Sequence, residues 1–359
     1  MVGGAGSTAG LFLGVWFVFL LLGTGLGSGL RLAPFQVFPQ SGSQPLIAIL
    51  VRQRFGRSHS RENTPLIDVL RTPPERLAGL PGWPHAPSYF QRPDGLVQQF
   101  TEAGPLDGAR TWLCLHGQPT WSYLYRRMIP TFVAAGDRVI APDFMGFGGS
   151  DKPRDEAVYT FHFHRQTILD LIEALDLRNI VLVVQDWGGL IGLTLPMAMP
   201  ERFSGLLVMN TALGTGDAPL PQGFLDWRAF SNRSPDMDVA RLMQRSCPHL
   251  TADEAAAYAA PYPDASYKAG VRRFPNLVPD SPDAPGAALS RQARLFWSTR
   301  WTGRSLMAIG MKDPVLGPPV MRALHGHIRN CPPPLEIPEG GHFLQEWGEP
   351  IAEAAVRTL

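Results

Sequence analysis

What this chain of 359 residues has little of narrows its class before any motif is read. It carries three cysteines, Cys114, Cys247 and Cys331, odd in number and far apart in sequence. That count and spacing fit neither a disulfide framework nor a metal site, so reduced and mostly buried thiols are expected. Charge of one sign is also missing: 32 Lys and Arg stand against 31 Asp and Glu, a formal net charge of +1. The basic residues are not clustered, which implies no nucleic-acid or acidic partner and points to a small, neutral substrate. Internal repeats and low-complexity arrays are absent. What is present is 45% hydrophobic content over a long chain, enough for one large domain or a domain with an insertion.

The N-terminal segment stands apart. Leu11 to Leu30 is apolar except for glycines, Thr24 and Ser28, long enough to span a bilayer, yet no positive region precedes it. Arg31, Arg52, Arg54 and Arg57 all follow it. If the segment inserts, the charge rule puts the body of the protein on the cytoplasmic side, and a cytoplasmic location is expected either way. Residues 31 to 62 read as a linker, so 1–64 are set apart as an apolar segment and linker.

From Pro65 the composition becomes that of a globular domain. Strands are predicted at Gly95 to Glu102, Ala109 to Leu115 and Arg138 to Ala141, and a helix at Tyr125 to Ala135. A Gly-rich loop covers Asp143 to Pro153. A helix from His164 to Leu175 leads to a strand opening at Ile180, and another strand runs from Leu206 to Met209. Alternation of this kind specifies a mainly parallel sheet with helices on both faces. After Asn210 it stops, and residues 213–290 read as an inserted helical cap between core segments 65–212 and 291–359. The sheet pattern resumes at Ser305 to Ile309 and Leu335 to Ile337, with a closing amphipathic helix from about Glu349.

The most informative stretch is Val181-Leu182-Val183-Val184-Gln185-Asp186-Trp187-Gly188-Gly189. Four consecutive apolar residues suit a strand covered on both faces, and the glycines let a helix start tightly against it. That is the layout of a nucleophile elbow, with Asp186 where a serine is usual. A serine attacking a saturated carbon would leave an ether that water cannot readily open. A carboxylate leaves an ester, which water cleaves at its carbonyl carbon. An Asp here also suits a plain helix N-cap, so its partners must decide.

Strand 305–309 runs into Gly310-Met311-Lys312-Asp313, and strand 335–337 into Glu339-Gly340-Gly341-His342. In an open α/β sheet the ligand crevice lies outside the carboxyl ends of the strands, so Asp186, Asp313 and His342 can converge. Their order, nucleophile, acid, histidine, is that of the α/β-hydrolase fold. His342 is then expected to take a proton from water and Asp313 to hold its tautomer. His116-Gly117-Gln118-Pro119 should supply an oxyanion hole from the backbone N–H of Gln118 and of Trp187. The Trp187 indole suits an anion in a dry pocket, and Trp227 stands in the cap with Phe224 and Phe230. His162 with His164, and His325 with His327, lack a Cys or carboxylate pattern for a metal, and none is expected.

Together, His116-Gly117-Gln118-Pro119-Thr120-Trp121, Val184-Gln185-Asp186-Trp187-Gly188-Gly189, Ile309-Gly310-Met311-Lys312-Asp313 and Gly340-Gly341-His342-Phe343 resemble the haloalkane dehalogenases. The resemblance covers about residue 66 to the end. It is nearest the subfamily whose catalytic acid follows the seventh strand and whose second halide donor is a cap Trp, which implies these roles for Asp313 and Trp227. It further implies a pocket lined by Leu190, Phe224, Phe274, Pro275, Val278 and Leu316, with a small haloalkane and water as reactants. No metal or organic cofactor is implied, and a monomer is expected.

Three departures are visible. Gln118 stands where that subfamily carries Glu or a similar residue. The segment between Asn210 and Trp227 is shorter than in the best-known member, and Leu190 replaces an aromatic. Members typically begin near Leu66, with Met there, so residues 1–65 are expected to reflect a start placed too early. The alternatives are an epoxide hydrolase, which needs cap tyrosines such as Tyr258, Tyr262 or Tyr267, and a non-catalytic ligand-binding protein on the same scaffold.

Overall fold

The computed structural model describes residues 67–359. The apolar stretch at 11–30, the linker at 31–62 and the question of the start lie outside the described residues. Among the described residues, no helix is long and apolar enough to cross a membrane.

The chain opens with β1 (Val69–Leu70), β2 (Pro87–Gln91), β3 (Val97–Ala103) and β4 (Thr111–Leu115), then α1 (Ile129–Ala134), β5 (Arg138–Pro142) and β6 (Lys152–Pro153). Next come α2 (Phe161–Ala174), β7 (Ile180–Gln185), α3 (Trp187–Gly192) and β8 (Phe203–Met209). The inserted part carries α4 (Gln222–Arg233), α5 (Val239–Ser246), α6 (Ala252–Ala259), α7 (Ala269–Arg273) and α8 (Ala287–Thr299). Then β9 (Arg304–Gly310), α9 (Pro318–His325), β10 (Leu335–Ile337) and α10 (Gly348–Thr358) close the chain.

Eight strands form one sheet in the order β10-β9-β8-β7-β4-β5-β3-β2. The five neighbouring pairs from β10 to β5 are parallel, while β3 runs antiparallel to both β5 and β2. β7 lies centrally between β4 and β8, and every one of its residues is buried. This is why its sequence shows an unbroken apolar run rather than alternation. Each large aliphatic side chain so buried contributes about 1.5–3 kcal/mol. The chain order reverses at β4, which pairs with β5 on one side and β7 on the other. Ligand crevices form at such a reversal, outside the strands' carboxyl ends.

Local chemistry accounts for the element ends. α2 begins earlier than its apolar period suggests, because the Thr160 side chain caps it by accepting from the Phe163 N–H. The helix predicted over Tyr125 to Ala135 divides into a 3₁₀ turn at Ser122–Tyr125 and a six-residue α1. Pro130, which has no N–H to donate, sits in the first turn of α1, so the helix starts afresh there. α8 runs through residue 290, the boundary drawn between cap and core, and its Trp297 indole donates to the Leu193 carbonyl below (2.8 Å). Cys114 and Cys247 are buried and all three thiols are free.

Candidate active site

Each parallel strand from β4 to β10, except the outlying β5, ends beside one residue of the site. Asp186 follows β7 directly and holds φ 49° and ψ −122°, a left-handed region that costs a non-glycine residue about 1–3 kcal/mol. The strain is held by its surroundings. Its N–H donates to the Asn210 carbonyl (3.0 Å), and its carbonyl accepts from the Gly189 and Leu190 amides and from the Thr211 hydroxyl (2.7 Å). The carboxylate consequently stands up from the sheet. Its Oδ2 accepts from the Gln118 N–H at 2.9 Å, and the Trp187 N–H also bonds to the group. Gly117 is required here, since a Cβ at that position would lie 2.4 Å from Asp186 Oδ2.

Asp313, three residues past β9, is almost fully enclosed and makes two kinds of bond. Oδ1 accepts from the Val315 and Leu316 amides (2.8 and 3.1 Å), whereas Oδ2 lies 2.9 Å from His342 Nδ1 and accepts from Asn210 Nδ2 at 2.8 Å. A carboxylate facing Nδ1 selects the tautomer with its proton there. His342 Nε2 points toward Asp186, 3.9 Å from its Oδ1. Gln185 Nε2 donates to the His342 carbonyl (3.0 Å) and approaches ring Nε2 at 3.3 Å.

The charges tune one another. Burial lifts the Asp186 carboxyl above its usual range, against the pull of His342 and the two backbone donors. Burial acts on Asp313 the same way, but there the His342 charge and its hydrogen bonds win and the carboxyl lies below its usual range. For His342, desolvation works against protonation. The Asp313 and Asp186 carboxylates outweigh it and raise the ring to about 9.

Above the carboxylates lies a cavity of about 820 Å³. Asp186, Trp187, Gln118 and His342 form its floor, and Leu190, Phe224, Trp227, Val278 and Leu316 are among its walls. Phe274 and Pro275 are not. Phe274 is fully buried behind Trp187, its ring centroid 4.5 Å from the indole, so it supports a wall residue rather than forming the wall. The Gln118 side chain turns away and donates to the Val271 carbonyl of α7 (3.0 Å), tying the loop after β4 to the inserted region. Trp227 is carried by α4, which is pressed against the loop after Asp313: a Cβ on Gly223 would lie 2.2 Å from the Pro314 carbonyl oxygen.

The indoles divide into two groups. Trp112, Trp121, Trp297 and Trp301 each donate to a carbonyl, carboxylate or hydroxyl of the protein. Trp83, Trp187, Trp227 and Trp347 have no such partner among the described residues, and of these four only Trp187 and Trp227 line the cavity. Two N–H donors on apolar rings beside a buried carboxylate can hold an anion.

The tyrosines needed for epoxide opening lie elsewhere. The Tyr258 hydroxyl bonds Glu346 and accepts from Arg126 in a buried ion network, and that of Tyr262 donates to the Pro119 carbonyl (3.1 Å). Neither these nor Tyr267 lines the cavity. Of the paired histidines, His164 is buried among aromatic rings without a hydrogen-bond partner among the described residues, and His325 bonds the Cys331 and Pro332 carbonyls. Sequence reasoning missed Asn210, Thr211 and Gln185. Their position, at or beside the ends of β7 and β8 next to Asp186, was the available signal.

Comparison with known proteins bears on the fold and the family. A profile of the alpha/beta hydrolase fold matches residues 112–349. Haloalkane dehalogenase of Psychrobacter cryohalolentis is 41% identical over 299 residues, covering 81% of this chain and 98% of that protein. Haloalkane dehalogenase 1 of Mycobacterium bovis is 42% identical over 289 residues, 78% and 94% of the two chains. Among solved structures, haloalkane dehalogenase DpaA from Paraglaciecola agarilytica, described as tetrameric, superimposes with TM-score 0.80 at 47% identity, covering 82% of this chain and 99% of that one.

Proposed function

This chain belongs to the haloalkane dehalogenase family, and we propose that it hydrolyses a carbon–halogen bond to give a primary alcohol, halide and a proton through an alkyl ester on Asp186. In the first half, one Asp186 oxygen attacks the carbon bearing the halogen while the Trp187 and Trp227 indoles take the departing halide. In the second, His342 removes a proton from water, which attacks the ester carbonyl carbon. The negative charge then develops on the oxygen facing the Gln118 and Trp187 amides, and collapse of the adduct frees the alcohol. Asp313 keeps Nδ1 protonated and stabilises the imidazolium. No residue role here calls for a metal or organic cofactor.

The observation that carries this reading is the pair of unpartnered indole donors in the wall beside the Asp186 carboxylate. An epoxide hydrolase would need an acid there for the ring oxygen, and the three cap tyrosines are spent or sited elsewhere. Halide release from a panel of chloro-, bromo- and iodoalkanes tests the proposal. Release from none of them, with opening of epoxides instead, would overturn it.

Two finer points belong to the same reading. We take the chain as a monomer, supported by exposed large apolar side chains, Ile67, Tyr89, Leu106 and Leu295, that fall on four separate segments. Light scattering decides this against a tetramer such as that described for DpaA. We also take it as cytoplasmic, supported by the arginines that follow the apolar stretch at 11–30. Fractionation of the native host tests that.

A further inference from the structure

The last residue of β7 breaks its apolar run. Ile180 to Val184 are aliphatic, and the next side chain, Gln185, is as fully buried as they are. An aliphatic residue would fill this place at less cost, because Gln185 Oε1 is enclosed without a hydrogen-bond partner among the described residues. The amide nitrogen is what the place uses. It donates to the His342 carbonyl at 3.0 Å and lies 3.3 Å from ring Nε2 of the same residue.

The orientation of this amide is fixed by its partner. A carbonyl oxygen only accepts, so the NH2 end must face His342, and turning the amide over would set two oxygens against each other. An NH2 group has two hydrogens to give. One serves the His342 carbonyl, and the other is left for the ring nitrogen. Ring Nε2 can accept it only when bare, which is the tautomer that Asp313 selects by facing Nδ1 at 2.9 Å. The backbone on the other side is braced alike: Asn210 Nδ2, from the residue after β8, reaches the Gly341 carbonyl at 3.3 Å. Two side-chain amides from neighbouring strand ends thus hold the two carbonyls of the loop that presents the ring.

Resting on the dehalogenase reading above, we propose that Gln185 is a positioning residue for ester hydrolysis, holding the His342 ring in place as the neutral base and donating to its Nε2 until the hydrolytic water takes that position. The covalent steps are unchanged: water gives one proton to Nε2, and its oxygen bonds to the ester carbonyl carbon. In the free site the Asp313 and Asp186 carboxylates draw the ring toward its charged form, in which Nε2 carries a hydrogen and confronts the Gln185 donor. Once Asp186 is an ester, one carboxylate is gone and the neutral ring satisfies the donor. The charged groups facing the ring are Asp186 after β7 and Asp313 after β9. Arg245 of α5, Lys312 beside Asp313 and His327 just past α9 share the cavity wall and are the same in every variant below.

The test is single-turnover kinetics of the full chain with a terminal bromoalkane across a range of pH, following bromide release and the decay of the alkyl adduct by intact mass. Wild type is compared with Gln185→Met, which keeps the length of the side chain and removes both amide hydrogens. Loss of a donor to the neutral ring favours the charged ring. The apparent pKa of ester hydrolysis should therefore rise by about one unit, making hydrolysis about tenfold slower on the acid side of the midpoint and close to wild type at high pH. The bromide burst should change far less. Gln185→Glu, which adds an acceptor and a charge, should raise the midpoint further. A normal burst with hydrolysis slowed by one factor at every pH, the midpoint unmoved, would leave Gln185 with backbone support alone and overturn the inference. Should Gln185→Met fail to fold, nitrogen NMR of isotope-labelled histidine in wild type, above the pH of about 9 at which the ring loses its proton, decides. A bare Nε2 displaced by an accepted hydrogen bond supports the inference, and a ring protonated on Nε2, or an Nε2 with a free lone pair, overturns it. No bromide burst from wild type with any bromoalkane overturns the dehalogenase reading on which it rests.

Discussion

His342 is hydrogen-bonded to Asp313 at 2.9 Å through Nδ1 but stands 3.9 Å from Asp186 through Nε2, within charge range and beyond hydrogen-bond range. The ring thus feels two carboxylates while only one restrains it. Alkylation of Asp186 removes one of the two negative charges that raise the ring to about 9. On the proposed mechanism, the base is held protonated in the free site and released to act once the ester has formed.

This fixes the sign of a pH effect. A cation loses stabilisation when a neighbouring anion is neutralised, so His342 should titrate below about 9 in the alkyl-enzyme. Ester hydrolysis, followed by pH-jump after a single turnover, should speed up with rising pH and level off at an apparent pKa below that value. A midpoint at or above 9 would contradict the coupling.

His342→Gln separates the half-reactions. The variant should release about one halide per site and then stall, since the nucleophile and indoles remain while the base is gone. Intact-mass measurement should find the alkyl adduct on Asp186. Steady turnover, or an adduct on another residue, would contradict the assignment.

Trp227→Phe removes one indole donor and little volume. A charge-assisted hydrogen bond is worth roughly 1.5–3 kcal/mol, so halide departure should slow roughly ten- to a hundredfold. Saturable quenching of tryptophan fluorescence by bromide should weaken in parallel. Tyr262→Phe and Tyr267→Phe should leave turnover largely intact, because neither side chain faces the cavity. Full activity of Trp227→Phe on bromoalkanes would show the second donor to be another group.

Asn210→Ala should disturb the acid rather than the nucleophile. Asn210 donates to Asp313 Oδ2 and accepts from the Gly310 N–H (both 2.8 Å), all within the buried interior. Its removal leaves two buried groups short of a partner, at about 1–3 kcal/mol each. Denaturant unfolding should show the loss. The ester-hydrolysis step should slow more than the halide burst, and an equal effect on both would contradict a role confined to the acid.

Glu346→Gln tests the join between the inserted helices and the sheet. Glu346 accepts from Arg126 (2.5 and 2.9 Å) and Arg127 (2.9 Å), and Arg126 also reaches Glu254 of α6. Glu346 and Arg126 are almost wholly buried. Neutralising the carboxylate leaves a buried guanidinium undercompensated, which costs about 3–5 kcal/mol. A Tm unchanged from wild type would contradict the role of this network.

The sequence by itself determined the strand, turn and helix around Asp186, the chain order of Asp186, Asp313 and His342, and nearly every strand of the sheet. These follow from patterns a few residues long: an unbroken apolar run, small residues at a tight turn, polar residues just past strand ends. Where a local rule was misjudged, as at Pro130 in the predicted helix 125–135, the error was itself local. Tertiary structure alone decided which side chains face the cavity. Phe274 falls behind Trp187, Pro275 does not line the cavity, and Tyr258 is drawn into a network with Glu346, 88 residues away in sequence. Asn210 meets Asp313 across a separation of 103 residues. The loop before His342 packs against the end of α5, where a Cβ on Gly341 would lie 3.3 Å from the Ser246 carbonyl oxygen. Contacts at such separations leave no periodicity in the chain, because they depend on how elements pack against one another rather than on how any one of them forms.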